Sequence, residues 1–257
     1  MKSETIFPAP AHVKTQLRTR TGERYRHELK YRISYGEKAA LELRLAPLLQ
    51  RDAHAGPGGY LIRSLYFDDC WNSAYAEKDA GILARKKYRI RIYNGSDAVI
   101  RLERKKKVGS WICKEEAALT RAELETLLNG DYGFLLASPQ PLCREFYFEC
   151  VSNLLRPRAL VDYEREPWVQ KEGTVRITFD RDVRAAVGGW DLFDPHLPTL
   201  PVLDPGTLVM EVKFTEFLPQ TLRELLPPKA QEWTAVSKYV LCCDKTAYCH
   251  GSSGWQG

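Results

Sequence analysis

The sequence predicts an α+β fold in which an eight-stranded antiparallel β-barrel carries helices on its outside. Three observations lead there. About eight segments are rich in β-branched and aromatic residues. Five of them alternate charged and apolar side chains with a period of two. Helical periodicity is clear in only three places. With 257 residues, 44% of them hydrophobic, the chain is long enough for one sizeable core, and barrels of this length commonly stay single domains.

Taken in order, residues 1–22 mix Pro, Thr and charges without a period and read as a flexible N-terminal segment. Residues 23–248 read as the folded domain, and 249–257, containing 250-HGSSGWQG-257, as a flexible tail. Strands are expected at about 24–34, 60–67, 82–93, 98–107, 110–118, 157–165, 173–181 and 206–214. Helices are expected over 36–50, over 120–128, where Thr120 and Glu123 form a capping box, and over 234–245.

The stretch 85-RKKYRIRIYN-94 shows what the strands have in common. One face carries Lys87, Arg89, Arg91 and Tyr93, and the other Tyr88, Ile90 and Ile92. The segment 98–108 sets Arg101, Glu103, Lys105 and Lys107 against Ile100 and Leu102. In 26-RHELKY-31, Arg26, Glu28 and Lys30 oppose Leu29 and Tyr31. Near the C-terminus Arg176, Thr178 and Asp180 oppose Val175, Ile177 and Phe179, while Glu211 and Lys213 oppose Met210, Val212 and Phe214.

For any one strand, a solvated charged face over an apolar core explains this pattern. The set as a whole points elsewhere, because these faces hold Lys and Arg punctuated by single glutamates instead of scattered Thr, Ser and Gln. Helices outside need the apolar faces, which leaves the charged faces to line an enclosed barrel. Buried Lys and Arg without partners are too costly, so such a lumen must hold an anion with several charges, a polyphosphate or a nucleoside triphosphate. Glu28, Glu103 and Glu211 either pair with the lysines or supply hard oxygen ligands to the Mg²⁺ or Mn²⁺ that accompanies a triphosphate. Glu211 is the first choice as a ligand.

Composition excludes other classes. The formal net charge is only +5, from 38 basic and 33 acidic side chains, so bulk attraction to nucleic acid is not expected. Seven scattered cysteines without a CxxC pair suggest neither a disulfide framework nor a zinc ribbon, and fit a reducing cytoplasm. No apolar leader and no run of eighteen apolar residues is present, so a cytoplasmic chain without a membrane span is expected. His27, His54 and His196 lack ligand-like spacing, and Cys249 beside His250 falls in the tail. The Gly-rich 52-DAHAGPGG-59 lacks the P-loop order and reads as a connection. The 104-RKKK-107 cluster near Tyr88 and Tyr93 could track a nucleic-acid backbone, but the alternation favours an enclosed site.

The ordered set 28-ELK-30, 87-KYRIR-91, 101-RLERKKK-107, 160-LVDYERE-166, 175-VRITFD-180, 210-MEVKF-214 and 237-SKY-239 resembles the VTC domain. This is the polyphosphate polymerase domain of the vacuolar transporter chaperone family, within the triphosphate tunnel metalloenzymes. The likeness covers roughly residues 24–245 and is closest to the bacterial stand-alone form. It implies an antiparallel eight-stranded tunnel with a C-terminal helix at its mouth, a divalent metal (Mn²⁺, or Mg²⁺), and transfer of the γ-phosphoryl group of ATP to inorganic polyphosphate. By motif, Lys30, Arg89, Arg91, Lys105 and Arg165 correspond to catalytic phosphate-binding positions, Glu211 to the metal-binding glutamate, and Ser237 with catalytic Lys238 to the tunnel mouth. Lys87, Arg176 and Lys213 complete the expected phosphate-binding set, with Ser237. One departure stands out: related adenylate cyclases and thiamine triphosphatases show ExExK on the first strand, and Arg26 takes the place of the first glutamate. That fits the polymerase branch and weakens a two-metal hydrolytic site. A triphosphatase on the same fold and a non-catalytic polyphosphate- or RNA-binding module are the alternatives. ATP and polyphosphate are the expected partners, nucleic acid is not, and the resemblance leaves room for a membrane partner protein.

Overall fold

The protein is described from a computed structural model, which covers residues 25–170, 175–227 and 237–247. The expected flexible segments, 1–22 and 249–257, lie outside the described residues, as do the first residues of the helix expected from 234.

All eight expected strands are present. They are β1 (His27–Ser34), β3 (Tyr60–Asp68), β4 (Ala84–Tyr93), β5 (Ser96–Val108), β6 (Trp111–Leu119), β7 (Arg156–Val169), β8 (Val175–Ala186) and β10 (Thr207–Phe214). Two short strands, β2 (Gln50–Arg51) and β9 (Thr199–Pro201), attach to β7 and β8. Every ladder is antiparallel and the strands run in the order β1-β10-β8-β7-β3-β4-β5-β6.

The closed barrel expected from the sequence is corrected by the strand pairing: the sheet is not closed into a barrel by a ladder. Its edge strands β1 and β6 meet at a single bridge, where the Arg26 and Ile112 amides each donate to the other's carbonyl at 2.9 Å. A full ladder would need several consecutive pairs. β1 instead turns after Ser34 into α1 (Tyr35–Leu45), whose start is fixed by a Ser34–Glu37 capping box.

The apolar faces of the strands are covered as the alternation requires. Tyr88, Ile90, Ile92 and Leu102 pack on α5 (Pro141–Ser152), which buries Leu142, Cys143, Phe146 and Cys150. α3 (Arg121–Leu128), capped by Thr120 and Glu123, joins the same cluster through Leu124 and Leu127. α4 (Phe134–Ala137) adds Leu135. Tyr31, Ile177, Phe179, Met210 and Val212 pack instead on α1 and on α6 (Gln220–Leu225). α2 (Ser73–Asp79) and α7 (Lys238–Thr246) are different. α7 lays Tyr239, Cys242 and Cys243 on Ile62, Tyr66, Val161 and Tyr163, so it packs across the polar side of the sheet. α2 follows a left-handed Asn72, and its first amides donate to carboxylates, Ser73 to Asp69 and Ala74 and Tyr75 to Asp68. No described helix is long and apolar enough to cross a membrane.

Candidate active site

The period-2 faces bring their charged residues together in one cavity. Of the residues expected at the site, Lys30, Lys87, Arg89, Arg91, Lys105, Arg165, Arg176, Lys213, Ser237 and Lys238 line it, and so do Glu28 and Glu211. Glu103 does not. Its carboxylate is fully buried behind the lining, 2.6 Å from Arg89, 3.2 Å from Lys114 and 3.9 Å from Arg91. In that place it holds cations upright instead of facing the cavity.

Fourteen basic side chains line the cavity against two carboxylates. Even with Glu103 and Asp180 counted from behind the wall, positive charge dominates. The carboxylates are each shared among several cations. Glu211 lies 2.8 Å from Lys213, 2.9 Å from Lys238, 3.2 Å from Arg165 and 3.4 Å from Lys30. Glu28 lies 2.8 Å from Lys105 and 3.2 Å from Lys30. Burial alone would raise the affinity of Glu211 for a proton, but Lys213, Lys238, Lys30 and Arg165 hold it well below the usual carboxylate range. Glu28 follows the same logic through Lys105 and Lys30.

The arginines are fixed by partners that leave little freedom. Arg165 sends Nε and Nη2 to Asp180, both at 2.7 Å, in the bidentate geometry that orients a guanidinium plane. Arg89 donates to Glu103 at 2.6 Å and to the Tyr66 hydroxyl at 2.8 Å. Arg91 donates to Ser64 Oγ and to the Tyr163 hydroxyl, both at 3.0 Å. Beside Arg165, Gly59 stands in the left-handed region at φ 88°, and an added Cβ would meet the Arg165 carbonyl at 2.2 Å. Only glycine permits the chain to enter β3 that close to β7.

Two lysines are held near neutrality. Burial, with Lys30 nearby, pushes Lys87 down to about 7. For Lys213, burial outweighs the adjacent Glu211 and Arg165 adds to it, again lowering the ammonium to about 7. Lys238 goes the other way: burial would lower it, but Asp180 at 2.5 Å and Glu211 more than offset that. Ser237 at the N-cap of α7 reaches Lys87 at 3.4 Å, so the helix start and β4 meet at the cavity.

Sequence reasoning placed Asp180 on a charged strand face without giving it a role, and did not select Lys114, Lys78, Arg85 or the tyrosines Tyr60, Tyr66 and Tyr163. Lys114 shares a strand face with Ile112 and Glu116, so the same alternation applied to 110–118 would have found it. Lys78 carried no such signal, because it comes from α2, a seven-residue helix with no buried residues.

Among the described residues, no group of three or more His, Cys, Asp and Glu side chains is arranged to hold a metal ion by itself. What the lining offers is two hard carboxylates, Glu28 and Glu211, bridged by Lys30.

No curated protein matches the chain. Among solved structures it is similar to a "putative adenylate cyclase" from Bacillus halodurans, with 14% identity, 81% of this chain and 98% of that chain covered, and a TM-score of 0.45. It is also similar to the PH1012 protein from Pyrococcus horikoshii, with 11% identity, 80% and 93% covered, and a TM-score of 0.45. A conserved hypothetical protein from Pyrococcus furiosus shows 11% identity, 78% and 85% covered, and a TM-score of 0.41. The family model of the VTC domain matches residues 25–247, which takes in every strand, every cavity residue and α7. The chain belongs to the VTC domain family.

Proposed function

We propose that the protein is a polyphosphate polymerase that transfers the γ-phosphoryl group of ATP to a growing inorganic polyphosphate chain. The observation that carries this reading is the excess of fourteen cations over two carboxylates on one cavity lining. Buried cations in that number need a multiply charged anion to offset their desolvation. Membership of the VTC domain family supports a polyphosphate- or triphosphate-related role and a phosphotransferase-type enzyme. On this reading the polar side of the sheet, bridged at Arg26–Ile112, acts as a tunnel wall and α7 stands at its mouth.

Phosphoryl transfer has a loose transition state with charge spread over the equatorial oxygens, so catalysis is mainly positioning and electrostatic stabilisation. Arg89, Arg91 and Arg165, each oriented by a partner from behind, hold the triphosphate in line. Lys30, Lys105 and Lys213 neutralise its oxygens, with Arg176 and Lys87 beside them. Lys238 and Ser237 meet the acceptor. A terminal phosphate oxygen of the chain bonds to the γ-phosphorus as the bond to the β,γ-bridging oxygen breaks, and ADP leaves with that electron pair. The acceptor is already anionic at neutral pH, so no general base is required.

Glu211 and Glu28 would hold a divalent ion of the Mn²⁺ or Mg²⁺ kind, since their carboxylates are the hard oxygen donors such ions prefer. Such an ion would supply positive charge against the transferred phosphoryl group. Glu103 supports Arg89 and Lys114 on this reading. Incubation with ATP and Mn²⁺ followed by gel analysis tests the proposal. Long chains are expected; phosphate release without chains indicates a triphosphatase, and neither product indicates a binding module.

A further inference from the structure

Four turns leave the sheet at one edge, and each carries a large apolar side chain into solvent. The pairing of Asp68 with Arg156, of Ala84 with Val108 and of Val108 with Trp111 sets the turn after β3, the turn into β4, the β5–β6 turn and the turn into β7 side by side. Trp71 is 82% exposed, Leu83 72%, Val108 52%, Ile82 47% and Leu154 45%. Residues 79–84 are exposed without interruption, and they include Ile82 and Leu83. Connecting turns ordinarily use Gly, Asn, Asp and Ser, so apolar side chains here add exposed area with no gain to folding.

The tips are nevertheless well held. The Leu83 carbonyl accepts the Gly109 amide at 3.0 Å, the Ile82 amide donates to the Glu77 carbonyl at 2.9 Å, and the Arg85 guanidinium donates to the Ile82 carbonyl. Backbone polar groups are thus satisfied within the protein while the side chains of Ile82 and Leu83 stay in water.

Cations stand immediately behind these tips. Arg85 lies opposite Lys107, and Lys86 opposite Lys106, at the two ladder steps after Ala84 and Val108. At about 3.4 Å per residue they sit about 3 and about 7 Å back from that pair. Arg85 and Lys107 face the cavity, whereas Lys86 is on the opposite face of β4, where it pairs with Glu149 of α5. Of the other carboxylates at this edge, Asp69 accepts the amides of Trp71 and Ser73, Glu77 interacts with Arg85, and Asp79 is exposed at the end of α2.

Apolar tips with cations a few ångströms behind them match the layering of an anionic lipid surface. Interfacial elements bury their apolar side chains about 5–10 Å into the headgroup and acyl boundary, where Trp is also favoured, and leave Lys and Arg among the phosphates. The apolar residues stand on separate turns instead of one continuous face, which a fluid surface accommodates better than a close-packed protein interface does.

We propose that this edge of the sheet is a membrane-docking surface, which inserts Ile82, Leu83, Val108 and Trp71 into an anionic lipid layer and sets Lys86 and Lys106, with Arg85 and Lys107, against its headgroup phosphates. Neither the apolar tips nor Lys86 and Lys106 take part in the proposed phosphoryl transfer, so docking and reaction are separately testable.

The test is co-flotation of the full chain with vesicles of phosphatidylcholine alone and of phosphatidylcholine with phosphatidylglycerol in equal parts. Wild type should float with the anionic vesicles and remain behind with the neutral ones, and added salt should weaken the binding. The variant Ile82→Ser/Leu83→Ser should lose at least about tenfold in partitioning with an unchanged melting temperature, because it removes two apolar side chains that are already in water. Lys86→Gln and Lys106→Gln should each cost about fivefold on the anionic vesicles. Leu83→Phe, which stays apolar, should bind as wild type does, and Trp71→Ser serves as an independent probe of the same edge. No flotation of wild type with anionic vesicles, or equal flotation of wild type and Ile82→Ser/Leu83→Ser, overturns the proposal. A dimer seen by sedimentation without lipid and abolished in Ile82→Ser/Leu83→Ser would assign this edge to a second copy of the chain and overturn it as well.

Discussion

Lys238, the first residue of α7, places its Nζ 2.9 Å from Glu211 of β10, and the same nitrogen lies 2.5 Å from Asp180 of β8. A single buried lysine thus fastens the helix to two strands of the cavity wall. Lys238→Ala removes the shared cation and leaves Asp180 to Arg165 alone. The expected cost is about 3 kcal/mol of stability, as for other broken buried pairs. Chain synthesis should fall further than ATP binding, seen as a lower kcat with a nearly unchanged KM. Ser237→Ala, which removes only a 3.4 Å hydrogen bond, should shift stability by no more than about 0.5 kcal/mol. Unchanged melting and unchanged synthesis in Lys238→Ala would contradict both roles.

Glu211→Gln keeps the shape of the side chain but removes the charge shared by Lys30, Arg165, Lys213 and Lys238. Without ligand the variant should lose roughly 3–5 kcal/mol of stability. Tripolyphosphate should restore much of the melting temperature, since the polyanion takes over the neutralisation. Turnover should not recover, falling at least about a hundredfold if Glu211 also holds the divalent ion, an effect worth about 3 kcal/mol. Wild-type turnover per folded molecule would remove Glu211 from the reaction.

The sheet and most of the site were legible because one rule governs both. A strand that lies between a covering helix and a polar cavity must alternate, so the residues between 85 and 93 declare their two faces in the sequence, and Lys87, Arg89 and Arg91 appear in the cavity as read. What alternation cannot show is who stands behind whom. Glu103 shares the face of Lys105, yet sits behind the lining under Arg89 and Lys114. α5 was missed although Leu142, Cys143, Phe146 and Cys150 have helical spacing after Pro141, because its aromatic run also reads as a strand. The single Arg26–Ile112 bridge depends on the tilt of the strands, which no local pattern encodes.

Polyanion binding should take up protons. Burial holds Lys87 and Lys213 down to about 7, so both are largely neutral at pH 8 in the free protein, and phosphate oxygens beside them favour the charged form. Affinity for a long polyphosphate should therefore fall as pH rises from about 7 to 9. Calorimetry at pH 8 in buffers of different ionisation enthalpy should reveal the uptake, and Lys87→Met should reduce it. The free protein should respond in the opposite sense. A lysine near 7 when folded and about 10.4 when unfolded binds fewer protons in the native state, so stability contributed by these groups rises with pH between those values. Buffer-independent binding heats would contradict this.

Gly59→Ala should damage the site from outside it. The added methyl group meets the Arg165 carbonyl at 2.2 Å, and φ of 88° is strained for alanine. The expected cost is about 1–3 kcal/mol of stability, together with weaker triphosphate binding as β7 shifts around Arg165. A variant with wild-type melting and binding would show that the β3–β7 approach is not what fixes Arg165.

The most direct measurement follows one phosphorus atom. The protein is mixed with Mn²⁺, preformed polyphosphate and ATP labelled at the γ-phosphorus, and the label is located after separation of chains, nucleotides and inorganic phosphate. Label in the chains, in step with the ADP formed, is the expected result. Label recovered as inorganic phosphate while the chains stay unlabelled would contradict phosphoryl transfer to polyphosphate.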